Sequence, residues 1–177
     1  MKSPVPSFIA LFGLAFAGAV PSLPAVAADT PHTLDRQEQA FVAKATADNS
    51  MQIELAKVAR ERSSSAQVRA LAKRIIDDHE ALNRKFTEFS VARKAHGQAH
   101  GTPAEDVTRD KLQLQRLQGD ALDQAFAGMM VAEHQKIIPL YEHAAKDAHD
   151  SDLRGIARDG LPMLHDHLRQ AQAITAK

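Results

Sequence analysis

Apolar residues return every three or four positions from Leu34 almost to the C-terminus, the period of helices that each bury one stripe. Breaks in that pattern predict four long helices and one short one. The first runs from about Leu34 to Arg62 with Phe41, Ala45, Met51, Leu55 and Val58 inward, and Lys44, Gln52, Lys57 and Arg60 assigned to other faces. Ser63-Ser64-Ser65 makes a turn, and Ser64 with Gln67 reads as a capping box. The second helix, to about Ala95, carries Val68, Ala72, Ile75, His79, Leu82, Phe86 and Phe89 in alternating steps of four and three, the seam of a left-handed bundle.

The stretch from His96 to Pro103, with two glycines and a proline, is the clear linker. Glu105 to Gln118 reads as a short extra helix ended by Gly119. A third long helix is expected from Asp120 to Ala148, with Leu122, Phe126, Met129, Met130, His134, Ile137, Tyr141 and Ala144 inward and an interruption at Pro139. After His149-Asp150-Ser151-Asp152, a fourth long helix buries Leu153, Ile156, Gly160, Leu164, His167, Ala171 and Ile174, with a kink expected at Gly160-Leu161-Pro162. The fold class is all-α: a four-helix bundle whose long crossover between the second and third long helices carries the short one.

The N-terminal residues follow another rule. Met1 to Ser7 contains Lys2, Phe8 to Val20 is an apolar run, and Ala25-Val26-Ala27 matches the small-residue cleavage pattern, so residues 1–27 read as a secretory signal peptide and 28–177 as one bundle domain. The run is shorter than the ~20 residues a bilayer requires, and no transmembrane span is expected in the mature chain. The expected location is outside the cytoplasm, in the periplasm or at the outer membrane.

Charge and composition then remove several functions. Lysine plus arginine equals aspartate plus glutamate, 22 of each, and the signs are interspersed, so no basic field exists for a nucleic-acid backbone. With no tryptophan and the single tyrosine Tyr141, the chain lacks aromatic platforms for bases or sugars. Mixed-sign polar faces also argue against helices lying on a membrane. Without cysteine the domain has no disulfide framework and no cysteine for lipid attachment. No phosphate-binding glycine loop, nucleophile elbow or His-Glu-x-x-His helix occurs, and no catalytic residue is assigned.

The chemistry lies in a plan used three times: Ile75-Ile76-Asp77-Asp78-His79, Met130-Val131-Ala132-Glu133-His134 and Met163-Leu164-His165-Asp166-His167. Each final histidine follows apolar residues by three or four positions and so shares their buried face. Counted from the last turn, His134 and His167 lie at nearly the same depth. Counted from the first, His79 is about fifteen residues away and Glu54 about ten, and Asp48 fits that depth better. Buried imidazoles must satisfy two ring nitrogens each, through hydrogen bonds or a metal ion. One outcome is a register-setting layer in which Asp78, Glu133 and Asp166 pair with the histidines. The other is a transition-metal site of His79, His134 and His167, with Glu54 or Glu133 as a fourth ligand or base. The loop histidines His96 and His100 lack a third ligand at fixed spacing.

Glu54, Asp78-His79, Glu133-His134 and the run Leu161-Pro162-Met163-Leu164 leading to His167 resemble an exported bacterial family of ferritin-like four-helix bundles, labelled as a domain of unknown function or "predicted outer membrane protein". The resemblance extends from about Gln37 to Ala173 and implies that fold and an exported location, with no established reaction. This chain has no Glu-x-x-His pair, which disfavours a carboxylate-bridged di-iron centre. Its histidine-rich set suits zinc, copper or a single iron, and Met51, Met129, Met130 and Met163 lie close enough in sequence to offer soft donors. The leading reading is an envelope binding or stress-related protein acting through its surface; the alternative is a metal-binding protein. Partner, substrate and oligomeric state have no signature in the sequence.

Overall fold

The structure is a computed structural model and describes residues 33–94 and 104–176, the side chains of 104–106 aside. The expected signal peptide and the linker histidines fall outside those residues. Five helices form: α1 (Arg36–Arg62), α2 (Ala66–Ala92), α3 (Ala104–Arg116), α4 (Gly119–Asp147) and α5 (Ser151–Thr175). Among the described residues no strand forms, and no helix is long and apolar enough to cross a membrane.

Helix ends follow local chemistry, with some departures from the sequence expectations. The capping box lies at Asp35, whose side chain accepts from the Gln37 and Glu38 amides while Glu38 reaches back to the Asp35 N–H. At the first turn the cap is Ser65, one residue later than expected, because its hydroxyl reaches the Val68 amide and the Ser63 hydroxyl takes the Ser65 N–H. Gly119 does not end α3; at φ +54° it opens α4 in a conformation glycine adopts without a side-chain clash. Pro139 and Pro162 lie inside continuous helices and interrupt neither α4 nor α5.

Helices α1 and α2 form one antiparallel hairpin and α4 and α5 another, and they meet through α1 against α4 and α2 against α5. The fourfold ring leaves α3 outside, laid on α1, with Leu114 fully buried and Lys111 paired to Glu54. The core divides in two. One apolar cluster gathers Met51, Leu55, Leu71, Ile75, Leu122, Phe126 and Met130; the other gathers Leu82, Phe86, Phe89, Ile137, Tyr141, Leu153 and Leu164. Tyr141 comes so near α5 that a Cβ on Gly160 would stand 3.1 Å from its Cε1. His79, His134 and His167 fall between the two clusters along their helices.

Candidate metal centre

His79 on α2, His134 on α4 and His167 on α5 are each 0% exposed. Their ring centroids are 5.3 to 5.8 Å apart, and one ring nitrogen from each lies within 4.8 Å of the other two. The four-and-three stepping that buries leucine and phenylalanine elsewhere on these helices also buries the imidazoles.

Each ring has one nitrogen engaged away from the others. His134 Nδ1 lies 2.8 Å from the Met130 carbonyl, which can only accept, so that nitrogen carries the proton. His167 Nε2 lies 3.0 Å from Asp78 Oδ2 and donates to the carboxylate. His79 Nδ1 lies 2.8 Å from Asn49 Oδ1. The amide orientation of Asn49 follows from a chain of donors ending on an obligate acceptor. Ser50 donates to the Thr46 carbonyl, Asn83 Nδ2 donates to Ser50 Oγ, and Asn49 Nδ2 donates to Asn83 Oδ1, which leaves Asn49 Oδ1 to accept from His79.

The surroundings favour the neutral form of all three rings. Burial holds all three below the usual imidazole range, His134 to about 4, and each of His79 and His134 is further opposed by a neighbouring ring; the Asp78 carboxylate works the other way on His167. A neutral imidazole with its proton on the outer nitrogen has a lone pair on the inner one. The inner nitrogens are therefore His79 Nε2, His134 Nε2 and His167 Nδ1. The first is buried with no hydrogen-bond partner, and the other two face each other at 3.3 Å. Two lone pairs at that separation repel unless a cation stands between them. Two nitrogens bound tetrahedrally to one zinc ion at ~2.0–2.1 Å would stand ~3.3 Å apart.

Glu54 and Glu133, the carboxylates expected as a fourth ligand or base, stand apart from the three histidines. Glu54 faces α3; Lys111 of that helix and then Lys57 of α1 hold its carboxyl below the ordinary range, and 37% of its side chain is exposed. Glu54 lies five residues along α1 from Asn49, the residue that meets His79. Glu133 pairs with Lys136 at 2.7 Å, and neither glutamate belongs to the group of converging ligand atoms. Buried Asp48 is held by Lys44. Of the three acids preceding the histidines only Asp78 bonds an imidazole, and it reaches across to His167 rather than to its neighbour His79; Asp166 turns to Arg169, Gln170 and Arg74.

Sequence reasoning missed Asn49 and Gln52. Gln52, assigned to another face, is 0% exposed. Ala45, Asn49, Gln52, Ala56 and Ala59 are spaced four, three, four and three apart, the same seam as on α2, and all are buried. Small and polar residues hid a stripe that spacing alone could have revealed.

The fold and this layer define a class: an all-α bundle with a buried, three-imidazole polar core. The particular family follows from the sequence, since residues 23–174 match the family described as Domain of unknown function (DUF4142), and the chain belongs to it. No curated protein matches. Among solved structures the chain is similar to one titled "Crystal structure of DUF305 fragment from Deinococcus radiodurans", at 18% identity and a TM-score of 0.73, covering 82% of this chain and 99% of that one. At that identity the likeness concerns the fold.

Proposed function

We propose that this protein is an exported metal-binding bundle that holds one transition-metal ion on His79 Nε2, His134 Nε2 and His167 Nδ1. The observation that carries the reading is the 3.3 Å approach of two ring nitrogens whose protons are assigned to the opposite sides of their rings. The Met130 carbonyl, Asp78 and Asn49 act as ligand-bound imidazoles require: they fix the tautomer, aim the free lone pair inward and raise its basicity. Neutral nitrogen donors suit zinc, copper or a single iron, and burial of all three rings keeps bulk water from competing for the ion. Export is supported by the leader-like residues 1–27, with the periplasm or outer membrane as destination.

Elemental analysis of the purified mature protein, loaded with zinc, copper or iron and freed of excess, tests the reading. Expected is one ion per chain, lost when His79, His134 and His167 are all replaced by alanine. A protein that stays metal-free after loading overturns it. The competing reading, an envelope protein whose polar layer only sets helix register, draws support from the satisfied outer nitrogen on every ring and predicts that metal-free outcome.

A further inference from the structure

Three of the four bundle helices each supply one histidine to the layer, and α1 supplies none. What α1 brings to that depth is Asn49 and, three residues later, Gln52. Asn49 fixes the level of α1 against the layer through its 2.8 Å bond to His79. Gln52 sits ~4.5 Å further along the axis, and side chains on a helix lean toward its N-terminus, here back toward Asn49 and the histidines. It occupies the central seam between Asn49 and Ala56 and is 0% exposed, yet neither Oε1 nor Nε2 has a hydrogen-bond partner. A buried amide with both ends unsatisfied is destabilising, and such groups are rare enough to call for a cause. His79 Nε2, from the helix paired with α1, is likewise buried without a partner.

We propose that Gln52 is the fourth donor of the metal centre, its Oε1 closing a three-nitrogen, one-oxygen set to which every long helix contributes one side chain. This rests on the metal-binding reading. It accounts for an amide where a leucine would pack without penalty, and for the absence of Glu54 and Glu133 from the layer. It also makes the donor set neutral, with Asp78 behind His167 as the nearest compensating charge the bonds define.

The test compares the intact mature protein with Gln52→Leu and Gln52→Glu by zinc titration, cobalt(II) absorption in the visible range, and thermal melting without metal. For Gln52→Leu the expected results have opposite signs: at least tenfold weaker zinc binding and an altered cobalt spectrum, with a higher melting temperature for the metal-free form. Gln52→Glu, which restores an oxygen donor and adds a charge, is expected to bind zinc at least tenfold more tightly than the wild type, and it carries the comparison if the leucine variant fails to fold. Unchanged affinity and spectrum in either variant overturns the role of Gln52 while leaving the three histidines as a site. A wild type that takes up none of zinc, cobalt, copper and iron overturns both.

Discussion

Among the described residues two clusters bring three potential ligand groups within 4.8 Å, and they are opposites. At the end of the bundle where α1 and α5 begin stand Asp35, Glu38 and His149; in the middle stand His79, His134 and His167. In the first, lone pairs meet donors. Asp35 Oδ1 accepts the Gln37 and Glu38 amides, and its Oδ2 lies 3.1 Å from His149 Nδ1. Glu38 accepts the Asp35 and Asp150 amides, one with each oxygen. The Glu38 amide is the leading cause that holds the Asp35 carboxyl below its usual range. Asp150, bonded by Arg93, caps α5 in turn, so the cluster ties the starts of α1 and α5 to the end of α2. In the middle layer the donors are spent on the outside of the rings and the lone pairs are left facing inward. Proximity of ligand atoms is common to both clusters; unspent lone pairs distinguish the second.

Metal content separates the two clusters most clearly. Replacing all three core histidines by alanine is expected to abolish metal uptake, whereas His149→Ala is expected to leave it at the wild-type value, both read by elemental analysis. Loss of metal in the His149 variant would mean that the terminal cluster had been misjudged.

Acid should act on the middle layer of the metal-free protein. His134 has a folded value of about 4 against 6.5 for a free imidazole, and His79 and His167 are lowered too. The unfolded chain therefore takes up protons first as pH falls. Stability is fully present above about 6.5, declines toward about 4 and is flat below that for His134, which contributes about 3 kcal/mol to the change. Urea unfolding at steps of pH checks it. In His134→Gln the decline should be shallower by that amount.

Glu38→Ala sharpens the other side. It removes the acceptor of two backbone N–H groups, one of them in a buried bond, and is expected to cost about 2 kcal/mol by chemical denaturation with metal stoichiometry unchanged. Gly160→Ala, between the two regions, brings a methyl to 3.1 Å from the Tyr141 ring and should cost about 1 kcal/mol by the same measurement. The smallest effect is expected from Glu54→Gln. Its half-exposed pairs with Lys57 and Lys111 should yield less than about 0.5 kcal/mol and no change in metal binding.

Much of the architecture was legible in the linear pattern. Seams such as Val68-Ala72-Ile75-His79-Leu82-Phe86-Phe89 require one buried face and no other, and that periodicity located four long helices, the short helix of the crossover and the depth shared by His134 and His167. The interruption expected at Pro139 does not occur, because a bundle that buries the rest of a helix carries it past one missing backbone bond. Partner choice was not legible. Adjacency suggested that Asp78 serves His79, but neighbours on a helix point about 100° apart, and Asp78 instead meets His167 from another helix.

By itself the sequence determined which residues turn inward, since burial of a helical stripe depends on spacing that is local and countable. Only the tertiary structure decided which lone pairs remain unspent. That depends on donors and acceptors from helices far apart in the chain, Asn49 against His79 and Asp78 against His167. Hydrogen bonds between helices are set by relative height and rotation, and neither quantity is written in any one segment.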